Sequence, residues 1–365
     1  MKTINIIFLA LLAFSFGCQD GYIDDISAVD PGPDEAEPTV TVNFPPTLVN
    51  IPFTDEQTDL NFRFEVSDDI EIQSIRLSLD GTELTTLTDF KDYRRVMNTY
   101  TYDDLPIGDY TFEVAATDVS GKTTTTTVPF TVSNKYVAQF EGEVFYMPFE
   151  AQSYIELLSE NAATVVGDPG FSTNAAVGEF AYEGNPDSYL TYPSESLENP
   201  EFSASFWYNV QPDPDRAGIL VIGPPDPANP DTPNNRTSGF RFFREGDATN
   251  QVFKLNVGNG TADSWFDGGP SATVNPDTAT WVHIAFTISQ TSAAVYLDGQ
   301  LASQGDFLGV DWTDCDILSI GSGAPRFIQW NHLSGNSLLD ELRIFNKALT
   351  QEEIQAIINA RTGSL

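Results

Sequence analysis

Apolar residues recur at every second position through most of the chain, which is the period of a strand buried on one face. Between Thr39 and Asn134 the pattern is clear in Thr39-Val40-Thr41-Val42-Asn43-Phe44 and again in Leu60-Asn61-Phe62-Arg63-Phe64-Glu65-Val66. Ile75-Arg76-Leu77-Ser78-Leu79 follows, then a turn at Asp80-Gly81, then the stretch Gly108 to Asp118 and Val128-Pro129-Phe130-Thr131-Val132. Six or seven short strands in roughly 95 residues predict an immunoglobulin-like sandwich. From Tyr136 the period of two persists, with longer loops. Phe202 to Tyr208 alternates around large aromatics, Thr280 to Thr287 forms a second strand, and Ala293 to Leu297 turns at Asp298-Gly299 into a return strand. Leu338 to Phe345 is the last strand. Only Gln351 to Ala360 takes helical spacing, with Thr350 as N-cap and Glu353 completing a capping box. The prediction is an all-β chain of two sandwiches with one short C-terminal helix.

The N-terminus departs from this pattern. Met1-Lys2-Thr3 precedes an almost wholly apolar run, Ile4 to Phe16, and then Gly17-Cys18. A basic start, a run of about 13 apolar residues and a small residue before the cut make a secretory signal. The run is shorter than the roughly 20 residues a bilayer-spanning helix needs, and no later stretch reaches that length. Residues 20–38 are Asp-, Glu-, Pro- and Gly-rich and predict an extended, solvated tether. Cys18 and Cys315 are the only cysteines. If Cys18 carries lipid, no disulfide forms within the chain, and Cys315, with no basic neighbour, reads as an inert thiol.

Charge narrows the partners. Seventeen Lys and Arg stand against 53 Asp and Glu, a formal charge of −36. Such a chain repels nucleic acid and anionic lipid, so its membrane contact is expected only through a lipid anchor. It also disfavours strongly anionic glycans unless a local basic patch or a bound cation intervenes. The apolar fraction of 41% and the 26 Phe mark a folding chain rather than a disordered acidic one.

Several segments carry family resemblances. Ser15-Phe16-Gly17-Cys18 resembles the bacterial lipobox, which implies a signal peptide over 1–17 and lipidation of Cys18. The following Gln19-Asp20-Gly21-Tyr22-Ile23-Asp24-Asp25 is similar to the acidic export tails of Bacteroidota surface lipoproteins, which implies an outer-membrane location facing the cell exterior. Residues 18–38 would then be the tether. Val66-Ser67-Asp68-Asp69 and Ala116-Thr117-Asp118-Val119-Ser120-Gly121 make 39–134 resemble the bacterial immunoglobulin-like spacer modules. The four strand motifs from Phe202 to Thr350, with Phe145-Tyr146-Met147-Pro148-Phe149-Glu150 as a first strand, make 136–365 resemble the laminin-G-like, concanavalin A-like jelly roll.

Glycoside hydrolases of this architecture place two or three carboxylates on one face of a strand, and alternation makes the spacing obligatory. No such segment is found: Asp340 and Glu341 are adjacent and are expected to point to opposite faces, and Glu141-Gly142-Glu143 lacks a third partner. His283 lies in the Trp-x-His family motif, where it is structural, and His332 lies in a loop, so neither forms a Ser-His-Asp triad. The chain is therefore expected not to be an enzyme. Laminin-G-like relatives often hold one Ca²⁺ between the first and last strands, which implies Glu150 and Asp340 as ligands of a structural calcium, with loop carbonyls completing the shell. The same two residues read equally as ordinary strand-end acids.

Sugar binding calls for aromatic platforms, because the apolar face of a pyranose stacks on a flat ring while its hydroxyls take polar partners. Trp207 and Trp281 lie in strand motifs, and the laminin-G-like resemblance implies that they are core residues. Trp265, Trp312 and Trp330 lie in Gly-, Asp- and Asn-rich loop segments. Trp330 has Arg326, Gln329 and His332 around it, a set suited to hydroxyl recognition. The Pro-, Asp- and Asn-rich loop from Gly223 to Ser238 would form a rim and leads into Phe240-Arg241-Phe242-Phe243-Arg244. The expected function is polysaccharide or oligosaccharide capture at the cell surface, in company with a TonB-dependent transporter complex of the SusC/SusD type. An adhesin or structural role on a protein partner is the alternative, and a broad apolar patch without a groove would favour it.

Overall fold

The computed structural model describes residues 33–278 and 281–360. The signal run, Cys18, most of the tether and Thr280 lie outside the described residues. Among the described residues the chain divides into two compact units, one of residues 33–51 and 55–134 and one of residues 135–360 together with Pro52–Thr54.

In the first unit, Thr39–Phe44, Gln57–Ser67 and Arg95–Pro106 form a three-stranded antiparallel sheet. Leu48–Asn50, Thr123–Ser133, Gly108–Asp118, Ile72–Leu79 and Thr82–Leu87 form a five-stranded sheet, antiparallel except where Leu48–Asn50 runs parallel to Thr123–Ser133. Alternation decides which residues meet between them: Leu60, Phe62, Phe64 and Val66 face inward from one sheet, and Leu77, Phe112 and Val114 from the other. The Phe62 and Phe112 rings stack at 4.1 Å. Asp80 and Gly81 both have positive φ, 50° and 76°, as the twist-matched hairpin turn requires. The end of the tether differs from the solvated strand expected of it. Pro38 is buried, and the Asp34 carboxylate sits between the Ser120 hydroxyl and Lys122 Nζ, the latter at 2.8 Å.

The second unit is a sandwich of two large antiparallel sheets. The first runs in the order Thr164–Val166, Tyr189–Pro193, Ile317–Ile320, Arg216–Ile222, Phe240–Gly246, Gln251–Gly258, Asp263–Phe266. The second runs Gly170–Ser172, Ala181–Glu183, Leu338–Phe345, Phe202–Asn209, Val282–Ile288, Ser292–Leu297, Gln300–Asp306, with Glu143–Met147 also paired to Leu338–Phe345. Aromatics close the gap between them: Phe202 meets Phe240 at 4.9 Å and Phe242 stacks on Phe286 at 4.9 Å. Each such fully buried ring contributes about 2–3 kcal/mol of transfer free energy. The helix Gln351–Ala360 lays Ile354 and Ile357 on the outer face of the second sheet, against Ala285, Ala294 and Tyr296. Its capping box forms as predicted: Thr350 N–H donates to Glu353 Oε2 at 2.8 Å, and Glu353 N–H to Thr350 Oγ1 at 3.2 Å.

One prediction from alternation fails. Leu339 and Leu342 both face the core, so Asp340 and Glu341 share the outer face instead of opposing each other. The cause is a β-bulge: Glu341 adopts φ 55°, and the register against Phe202–Asn209 slips between Ser205 and Trp207. Glu341 and Glu143 then grip the buried Arg343, whose guanidinium lies 3.6 Å from the Tyr146 ring centroid.

Candidate functional site

The outer face of the first sheet carries a cross-strand row fixed by the register: Ser319, Val221, Arg241, Asn256 and Trp265. Period-two alternation puts Arg241 and Phe243 on this face while Phe240 and Phe242 fill the core. Two loop segments, 223–238 and 323–334, cross above it. Phe327 and Phe243 pack with Val221 beneath them in a small apolar cluster.

Arg236, from the first of these loops, organises the rim. Its guanidinium lies 5.5 Å from the Trp265 ring and 5.4 Å from the Trp330 ring, between two tryptophans that remain 45% and 39% exposed. Arg236 Nη1 also reaches Asp263 Oδ2 at 3.5 Å. Beside it opens a polar hollow of about 360 Å³ lined by Asp226, Asn229, Asn234, Thr237, Thr261 and Asp263 among others. The two carboxylates there are engaged in holding loops. Asp226 accepts from the Asn229 amide at 3.1 Å and the Asn234 N–H at 3.1 Å, and Asp263 accepts from Asn256 Nδ2 at 2.7 Å.

The predicted binding residues separate on this geometry. Trp265 and Trp330 are brought together at the rim. Gln329 lies close by and accepts from Asn234 Nδ2 at 2.6 Å, clasping the two loops. Trp312 is not a platform: its indole packs on Phe202 and Phe240, and its Nε1–H donates to the Asn199 carbonyl at 2.8 Å. His332 is 2% exposed, stacked on Phe327 at 4.7 Å and bonded to Glu245 Oε1 at 2.8 Å, so it supports the loop and offers nothing to a ligand. That contact, with Lys254, holds the Glu245 carboxyl down at about 2. Arg326 is tied to Asp316, its Nη2 donating to both carboxylate oxygens at 2.6 Å, which draws its charge away from the rim. In each case a loop residue that is polar or aromatic in sequence is consumed by a neighbour distant in sequence. Arg236 was missed because a single arginine in a Pro-rich loop has no sequence signal; only the expected rim over 223–238 pointed towards it.

Glu150 and Asp340 also converge, on the segment 176–180. Glu150 accepts from the Glu179 N–H at 2.9 Å and the Phe180 N–H at 3.2 Å, and Asp340 Oδ2 accepts from the Ala176 and Val177 N–H groups at 2.8 and 2.9 Å. Asp340 Oδ1 is buried with no hydrogen-bond partner. Burial, with Glu341 beside it, raises the Asp340 carboxyl to about 8, and burial raises Glu150 as well. Among the described residues no three His, Cys, Asp or Glu side chains are grouped to hold a metal ion. Cys315 is partly buried, and desolvation lifts its thiol to about 12, in keeping with an inert role.

Residues 183–355 match the family model of the concanavalin A-like lectin/glucanases superfamily, and the C-terminal part of the chain is a domain of that laminin-G-like kind. No curated protein matches the chain. Among solved structures, domain 4 of AbnA, an extracellular arabinanase from Geobacillus stearothermophilus solved with arabinotriose, is similar at 18% identity and a TM-score of 0.39, covering 60% of this chain and 99% of that one. The botulinum neurotoxin serotype C1 binding domain is similar at 14% identity and a TM-score of 0.41, covering 60% of this chain. The binding domain of botulinum neurotoxin DC, in complex with SialylT, is similar at 13% and 0.41. The match spans about half, 52%, of each of these two neurotoxin structures.

Proposed function

We propose that this chain is a non-catalytic, lipid-anchored surface protein whose laminin-G-like domain captures a polysaccharide or its fragments at the rim formed by Trp265, Arg236 and Trp330. The observation that carries the reading is that pair of half-exposed indoles beside a hollow lined by Asp, Asn and Thr. Exposed indoles are costly to leave in water and suit the apolar face of a sugar ring, while the amides and carboxylates suit its hydroxyls. The engagement of Asp226 and Asp263 by neighbouring side chains and backbone supports binding without hydrolysis.

In the same reading Cys18 carries the lipid, the protein stands on the outer face of the outer membrane, and a TonB-dependent transporter complex receives the captured glycan. The signal pattern of residues 1–18 and the acidic tail behind it support this. One structural Ca²⁺ is also proposed. The unpartnered Asp340 Oδ1 fits a hard cation, Glu150 would share it, and backbone carbonyls and water would complete six to eight oxygens. Its part would be to hold segment 176–180, remote in role from sugar recognition.

A glycan array probed with the protein in calcium and again in EDTA tests the central claim. Reproducible binding to one polysaccharide class, weakened in Trp330→Ala while the melting temperature holds, is the expected result. Silence across neutral and acidic glycans from a folded protein would transfer the assignment to adhesion on a protein partner.

A further inference from the structure

Arg241 stands in the middle of the outer-face row and is fully buried. Its Nη2 donates to the Asn235 carbonyl, but Nε and Nη1, which together carry three N–H bonds, have no acceptor. Among the described residues no carboxylate pairs with it. Desolvation pulls this guanidinium down to about 10. A buried cation with most of its donors unmet is a standing cost, and native packing ordinarily pairs such a group. Its neighbours in the row share the deficit: Asn256 Oδ1 and Ser319 Oγ are likewise buried without partners.

What covers the row is a strap held by polar contacts rather than by buried apolar side chains. None of the residues from Pro225 to Thr237 is buried. The segment is clasped to the second loop by the Ile328 N–H donating to the Pro233 carbonyl at 3.0 Å and by Asn234 Nδ2 donating to Gln329 Oε1 at 2.6 Å. It is bounded by Gly223 and Gly239. A Cβ at Gly223 would stand 2.8 Å from Arg241 Nη2, and Gly239 has φ 68°, so both glycines are needed for the strap to close on the row. The remaining ties are also polar or rim contacts: the Asn235 carbonyl on Arg241 Nη2, the Gly260 N–H donating to the Thr237 carbonyl at 2.7 Å, and Arg236 on Asp263 Oδ2 at 3.5 Å and against the Trp265 and Trp330 rings. With no buried side chain of its own, the segment is of the kind that opens locally rather than with the core.

We infer that the row is a subsite for a carboxylate-bearing sugar: with the strap 225–237 lifted, Arg241 receives the carboxylate of a hexuronic acid residue. Asn256 Oδ1 and Ser319 Oγ take its hydroxyls, and Trp265, next in the row, stacks the adjoining ring. The planar guanidinium suits a carboxylate in geometry and charge. The overall charge of −36 repels densely charged polymers, so the ligand is one whose carboxylates are spaced along an otherwise neutral chain. This deepens the carbohydrate reading and rests on it.

The test is a titration of the full protein with a panel of uronate-containing oligosaccharides, each paired with its carboxyl-reduced counterpart. The acidic form is expected to bind at least about tenfold more tightly, a difference of about 1.4 kcal/mol. Arg241→Met should level the two forms and raise the melting temperature, because it removes an unpaired buried charge, whereas a purely structural arginine would lower it. Asn234→Ala, which opens the clasp, should strengthen binding of the acidic form. Equal binding of the two forms, or a lower melting temperature in Arg241→Met, overturns the subsite and leaves the carbohydrate reading standing. Failure of every glycan to bind removes both.

Discussion

Asp340→Asn isolates a carboxyl in the second unit that burial shifts far from its ordinary range. The wild-type carboxyl is fully buried and raised from 3.8 to about 8, by burial first and the neighbouring Glu341 second. Because the folded state keeps a proton that the unfolded chain releases between those values, metal-free stability is highest in acid and falls as pH rises towards about 8. Each pH unit in that window is worth about 1.4 kcal/mol, so between about pH 5 and pH 8 the wild type loses about 4 kcal/mol through this residue. Asparagine is nearly isosteric, and its amide oxygen still accepts from Ala176 and Val177, but it does not titrate. Melting curves of both proteins in EDTA across that range give the difference directly, and the general charge of the chain cancels in the subtraction. The asparagine variant should match the wild type near pH 5 and melt about 10 °C higher near pH 8. Added calcium should raise the wild type alone, since it binds the ionised carboxylate. A difference in melting temperature that does not change with pH would refute the burial argument. A wild type indifferent to calcium at pH 8 would refute the metal proposal.

Other expectations follow from the same geometry. Trp265→Ala and Trp330→Ala should each weaken glycan binding about tenfold, and the double variant less than a hundredfold, because both rings share Arg236; calorimetric titration measures it. Glu143→Ala leaves Arg343 buried with Glu341 alone and strips the acceptor from Tyr136 Oη–H and the Gln139 N–H, so it should cost about 3–5 kcal/mol by denaturant unfolding. Thr350→Ala removes only the N-cap and should cost about 1 kcal/mol in the same measurement.

Much of the fold was legible because it depends on local rules. Alternation placed Phe62, Phe206 and Phe242 in the cores, Asp-Gly pairs marked the hairpin turns at Asp80 and Asp298, and the Thr350–Glu353 pair marked the helix start. Where the local rule was interrupted, the reading failed. The bulge at Glu341 reversed a facing argument that alternation made compelling, and nothing in Leu339-Asp340-Glu341-Leu342 announces a positive φ at a glutamate.

The site was only half legible. Unusual composition singled out three loop tryptophans, and two of them do meet at one rim. Which two was decided by packing: Trp312 found the Asn199 carbonyl and the core aromatics, while Trp265 and Trp330 found a shared arginine. His332 and Arg326 were drawn away by Glu245 and Asp316, partners 87 and 10 residues distant in sequence. By itself the sequence determined the all-β class, the strand periods, the charge and the choice of aromatic candidates, because these follow from side-chain chemistry and the two-residue repeat of a strand. Only the tertiary structure decided which polar groups were spent on one another and which, like Arg241 and Asp340, were buried with bonds unmet. Satisfaction of a hydrogen bond depends on what lies across the sheet, and a linear pattern does not carry that.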